Sequence, residues 1–244
     1  MYFDYQNTGV GVPDRFADAH QRAWTRLASP GMWWTSTEKI DIAAETRNAE
    51  SVRDEYRNSL SPSMADPPQK VSSTLDESIL EAIYRITTDP ARLSRDWFNT
   101  LIERGVKDTH YVELVSVVTT VLSIDDFHRG IGIELEDLPM PIKGDPLRRR
   151  PTGARDEGSW VNTVPPAQLD PVDDDIYGGR DSAPNVIRAL SLVPPEVRAL
   201  EDMHEAQYLT YAEMGEFVNL DRSLSRAQIE FVAAKVSVAN ECFY

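Results

Sequence analysis

The sequence holds one cysteine, Cys242, among 244 residues. A disulfide framework within the chain is therefore excluded, and a reducing, cytoplasmic setting is expected. No uninterrupted apolar run is long enough to span a bilayer. The opening MYFDYQNTG lacks the basic-then-apolar layout of a secretory signal. Cations are in short supply: 25 Lys and Arg stand against 40 Asp and Glu, a net charge of −15. Such a surface repels phosphate backbones, so nucleic-acid binding is disfavoured. The cluster Arg148-Arg149-Arg150 is local and is expected to pair with surface acids. There is no Gly-rich phosphate loop and no Gly-x-Ser-x-Gly. Asp173-Asp174-Asp175 lacks the spacing of a calcium loop.

What is present is enough apolar residue, 41% of the chain, for one large domain or two small ones. Residues 13–29 read as an amphipathic helix, with Pro13 at its start and Phe16, Ala19, Ala23, Trp24 and Leu27 on one face. Pro30-Gly31 breaks it. Thr35 and Glu38 form a capping box that opens a helix over 36–59. After a Pro/Ser-rich loop, helices are expected at 76–88 and 91–104, separated by Asp89-Pro90 and ended by Gly105. Residues 108–129 are the most apolar segment; their β-branched content suits a strand, but their length favours a buried helix opened by Asp108. Residues 134–172 are dense in Pro, Gly and charge and read as a linker wrapped on the surface, anchored by Trp160 and Val164. Helices at about 184–190 and 195–214 follow, each opened by proline.

The final stretch, LSRAQIEFVAAKVSVANECFY, repeats the second helix. Ser225 and Gln228 form another capping box, and Ile229, Val232, Ala233, Val236 and Ala239 recur at helical spacing. A shift of 190 positions places Thr35 on Ser225, Glu38 on Gln228, Ile42 on Val232, Ala49 on Ala239 and Val52 on Cys242. The first copy thus keeps the helix pattern and lacks the thiol. No C-cap signal closes the last helix, which reads as interrupted with Cys242 in its final turn.

Glu230 followed twelve residues later by Cys242, within Asn240-Glu241-Cys242-Phe243-Tyr244, resembles the active-site helix of AhpD-like alkylhydroperoxidases and carboxymuconolactone decarboxylases. PNVIRALSLVP at 184–194 and the stretch from Gly105 to Arg129 resemble other pieces of that family. The resemblance implies an all-α fold of two tandem AhpD-like bundles: a first unit at 13–133 without the cysteine, the linker at 134–172, and an incomplete second unit at 173–244 carrying Cys242. It implies a thiol peroxidase that reduces hydroperoxides, with Cys242 as one redox thiol and Glu230 as proton relay. An external dithiol reductant, lipoylated or thioredoxin-like, would regenerate it. No cofactor and no metal are implied, and a homo-oligomer is expected. In the peroxidase branch a second Cys and a His follow, which would fall at positions 245 and 249. The expectation is that the sequence is a fragment, or that position 245 is selenocysteine read as a stop. The negative end of a helix disfavours a thiolate, so the 244-residue form is expected to be a weak peroxidase. A carboxymuconolactone-decarboxylase-like enzyme and a non-catalytic helical assembly protein remain alternatives.

Other pairs read as structural. Glu201 with His204 is half of a di-iron carboxylate motif, and a single half favours a helix-surface reading. His110 with Glu113, and Asp126 with His128, read as capping or salt-bridged groups, and Trp33-Trp34 as core or subunit interface.

Overall fold

The structure is a computed structural model that describes residues 3–53, 70–71, 74–210, 213–214 and 222–242. Among them are eight α-helices, three 3₁₀ turns and no strand, so the fold is all-α. The helices are α1 (Asp14–Ala28), α2 (Ser36–Ser51), α3 (Glu77–Thr88), α4 (Arg95–Glu103), α5 (Asp108–Ile131), α6 (Asn185–Arg188), α7 (Pro194–Gln207) and α8 (Arg226–Ala239). Contacts divide the chain into two compact units, one running to Met203 and the other beginning at His204. Residues 134–203 belong to the first of these, together with the helices before them.

In the first unit α2 is the central helix, packed against α1, α3 and α5. Its capping box forms: the Thr35 hydroxyl accepts the Glu38 N–H, and Glu38 accepts the Thr35 N–H at 2.8 Å. The expected helix over 36–59 is described to Ser51, and 54–59 lie outside the described residues. Ile42, Ala43 and Ala49 of α2 meet a core that includes Trp24, Ile83, Tyr84, Leu114, Val118 and Ile124, all essentially inaccessible. The β-branched run of α5 stays helical because its side chains are buried over most of its length, and that burial outweighs the few tenths of a kcal/mol of propensity per residue. Asp108 is the first residue of α5 rather than its N-cap, which is Lys107; the Asp108 carboxylate is engaged by Arg150. Gly132 ends α5 with φ 76°, a left-handed conformation that glycine takes without penalty.

The helix expected from 91 begins at Arg95 instead. Pro90–Arg92 form a 3₁₀ turn, Leu93 is extended, and the Ser94 hydroxyl caps α4 by accepting the Trp97 N–H at 3.2 Å.

Residues 134–172 run over the first unit as a strap with many anchors. Trp24 Nε1 donates to Asp137 O at 2.9 Å, Ile142 N donates to Ala28 O at 2.8 Å, and Arg148 N donates to Met32 O at 2.7 Å. Trp160 stacks on Phe98 and Val164 is buried, as their aromatic and apolar character led one to expect. Arg149 pairs with Asp170 and Asp173, and Arg150 with Asp108. Two of the three arginines of the cluster are thus paired with acids of this chain. Asp202 of α7 pairs with Arg22 and Arg26 of α1 and ties residues 194–203 to the same unit. No helix among the described residues is long and apolar enough to cross a membrane.

Candidate functional site

The second unit carries both residues singled out as chemistry. α8 opens with the capping box read from sequence: Ser225 accepts the Gln228 N–H, and Gln228 Oε1 accepts the Ser225 N–H at 2.9 Å. One turn in, Glu230 receives two donors. Arg226 Nε donates to Oε1 at 2.6 Å and the Tyr208 hydroxyl donates to Oε2 at 2.8 Å. Arg226 also donates to Glu213 O, and Arg222 bonds both the Glu213 carboxylate and Tyr208 O. Glu213 is held at about 2 by Arg222 and the Thr210 N–H. The Tyr208 hydrogen bond, with Arg226 behind it, holds Glu230 below the usual carboxylate range, while burial and the Glu230 charge push Tyr208 up to about 12. Glu230 is therefore an ionised carboxylate with both oxygens engaged. A carboxylate so stabilised is a weak proton acceptor.

At the far end of α8 the backbone does what the sequence did not announce. Asn240 N donates to Val236 O, Glu241 N to Val238 O at 3.1 Å and Cys242 N to Ser237 O at 2.9 Å. Glu241 has φ 54°. This is a Schellman closure with glutamate in the left-handed position. The sequence suggested an unfinished helix with Cys242 in its last turn. The structure instead caps the helix at Asn240 and sets Cys242 just outside it. A Glu in the left-handed region gives no sequence signal because glycine or asparagine is the usual occupant. The repeat shows a related break: Val52, on which Cys242 falls, is the C-cap of α2, and residue 53 is helical again.

Cys242 is exposed, which removes the reading of a buried small apolar side chain. It is not brought to Glu230. Nine residues of helix separate Glu230 from Ala239, about 13 Å of rise. The two sit at opposite ends of α8, so within one chain no direct proton transfer joins them.

No protein-family model, curated protein or solved structure matches the chain.

No residue of α8 is buried, and large apolar side chains stand exposed on it. Phe231, Val232, Val236 and Val238 are each more than half exposed. In α2 the positions equivalent to Val232, Ala233 and Ala239 are Ile42, Ala43 and Ala49, and all three are fully buried. Sequence reasoning missed Tyr208, since nothing local links it to a residue 22 positions on; Arg226–Glu230 was readable as an i,i+4 pair.

The first unit holds its own perturbed groups. Glu113 is wholly buried and is raised to about 7 by that burial and by the Glu196 carboxylate, against the pull of Lys39. Its Oε2 accepts the Trp33 N–H at 2.7 Å, while Oε1 has no hydrogen-bond partner. Lys39 is buried too, with its ammonium donating to Arg26 O at 2.7 Å and Ser29 O at 3.3 Å. His110 is not paired with Glu113 but lies against the Trp33 and Trp34 rings. Among the described residues no group of three or more His, Cys, Asp or Glu side chains is placed to hold a metal ion.

Proposed function

We propose that the chain belongs to a thiol-dependent peroxidase of the AhpD-like alkylhydroperoxidase type, with Cys242 as a redox sulfur and a selenol as an alternative partner. The observation that carries this reading is the exposed sole cysteine, held immediately outside a capped helix twelve residues after a carboxylate.

The chemistry balances as follows. The Cys242 thiolate attacks the hydroperoxide oxygen, the O–O bond breaks, and the alkoxide takes a proton to leave as alcohol. The sulfur becomes a sulfenic acid. A second thiol or selenol condenses with it, forming an S–S or S–Se bond and releasing water. An external dithiol of lipoylated or thioredoxin-like character then reduces that bond and is itself oxidised. Glu230, kept ionised by Tyr208 and Arg226, is a relay for the thiol proton rather than its resting place. Because about 13 Å of helix lies between them, a water chain or a neighbouring copy must bridge.

A second reading has its own support. The four large apolar side chains exposed on α8 are more than a soluble helix usually leaves uncovered, which favours a helical assembly role, including a homo-oligomer. Peroxide consumption by the full chain with dithiothreitol as reductant separates the two. The peroxidase reading expects turnover that Cys242→Ser abolishes. Equal consumption by wild type and Cys242→Ser, at the rate of the reductant alone, overturns the peroxidase reading.

A further inference from the structure

The segment Phe3–Thr8, ahead of α1, is tied to the first unit by one buried oxygen. The Tyr5 hydroxyl lies 2.6 Å from His20 Nδ1 and 2.8 Å from His128 Nε2. His128 Nδ1 lies 2.7 Å from Glu134 O. All three side chains are buried, at 6%, 0% and 2% exposure. His20 belongs to α1 and His128 to α5, so a single phenol joins the segment to both helices.

Counting protons fixes the direction of the chain. A carbonyl only accepts, so His128 Nδ1 carries the hydrogen. With both imidazoles neutral, His128 Nε2 is bare and accepts the Tyr5 O–H. The Tyr5 oxygen then accepts from His20 Nδ1–H. Protonating His128 reverses the chain. Protonating both imidazoles leaves two N–H groups aimed at one phenol oxygen, and the Tyr5 O–H loses its acceptor.

The surroundings do not welcome that charge. Phe3 packs edge-on against Trp24, His20 and His128, and Phe127 lies against Tyr5, His20 and Phe16. The charged groups around the network are Glu136 and Asp137 after α5, the exposed Asp14 and Asp18 of α1, which share a groove with Phe3 and Tyr5, and the Arg47–Asp125 pair joining α2 and α5. Arg47 stands over the Trp24 ring. Asp4 is turned to its own segment, accepting the Gln6 N–H. Glu136 favours a cation here but is itself raised by burial, Asp125 is already paired with Arg47, and Asp14 and Asp18 are exposed and screened by solvent.

We propose that Tyr5, His20 and His128 form an acid-released latch that holds the segment Phe3–Thr8 on the α1–α5 seam. Burial, and then the neighbouring His128, lower His20 to about 4. A depressed histidine contributes its stability in full above the unfolded value of 6.5 and loses it as pH falls toward 4. Opening of the segment should therefore rise on the order of 100-fold between pH 7 and pH 4.

Hydrogen exchange of the full chain across that range, corrected for intrinsic rates, tests this. The amides of residues 3–8 should lose protection by about that factor while the centres of α2 and α5 stay protected. Long-range ¹H–¹⁵N spectra at pH 7 should show His20 and His128 both carrying the proton on Nδ1. Tyr5→Phe should open the segment at least tenfold at pH 7. Residues 3–8 staying protected while His20 titrates would overturn the latch. So would their release together with α2 and α5, or a bare Nδ1 on His128. The wild-type measurements decide the matter even if Tyr5→Phe does not fold.

Discussion

Tyr208 and Glu230 are joined by a 2.8 Å hydrogen bond in which the phenol donates to a carboxylate already bonded to Arg226. The bond favours the ionised form of Glu230 and the protonated form of Tyr208 together. Tyr208→Phe should therefore raise Glu230 toward the ordinary carboxylate range, followed through its side-chain carbon resonance. The sign also sets a stability dependence. A depressed carboxylate contributes above its unfolded value and loses that contribution as pH falls. The acid limb of unfolding of the second unit should be shallower in Tyr208→Phe than in wild type.

Glu113 should act in the opposite sense. Its folded value of about 7 lies above the ordinary 4.5, so the folded state holds a proton that the unfolded state has released. Stability contributed by this group is present below pH 4.5 and lost as pH rises through 7, a span worth up to about 3 kcal/mol. Glu113→Gln keeps an acceptor for the Trp33 N–H and removes the ionisation. Urea titrations at pH 5 and pH 8 should show the variant more stable than wild type at pH 8, with the gap closing at pH 5.

Gly31 is fixed by the same carboxyl. A Cβ at Gly31 would lie 1.6 Å from Glu113 Oε1, and Glu113 is enclosed on all sides. Gly31→Ala should cost about 1–3 kcal/mol by overpacking. The double variant Gly31→Ala, Glu113→Ala should recover part of the loss seen for Gly31→Ala against its own Glu113→Ala background. Additive losses in the denaturant midpoints would contradict the contact.

The left-handed Glu241 holds about 1 kcal/mol of conformational strain. Glu241→Gly should relieve it and raise exchange protection of the last turn of α8 about fivefold.

These residues show where the sequence was informative. Helices whose apolar spacing and caps agree were readable: Pro13 and the Trp24 face mark α1, Thr35/Glu38 mark α2, and Ser225/Gln228 mark α8. Ser94 was overlooked as a cap because Asp89-Pro90, read as the break between two helices, placed the second helix's start directly after it. The strap at 134–172 read as a linker because its anchors are backbone hydrogen bonds and arginine–aspartate pairs between residues far apart, which have no period. Tyr5 with His20 and His128, 123 residues apart at the extremes, is the same kind of relationship. At the candidate site, the residue types and their spacing came from sequence. The end of α8 and the partners of Glu230 did not, because one depends on a glutamate in a glycine's conformation and the other on a tyrosine outside the helix.

The central claim is that Cys242 reacts with hydroperoxides. The most direct measurement is mass spectrometry of the full chain treated with one equivalent of an organic hydroperoxide in the presence of dimedone. The account predicts a dimedone adduct on Cys242 together with a matching yield of the alcohol, both absent in Cys242→Ser. An unmodified Cys242 beside unconsumed peroxide would contradict it.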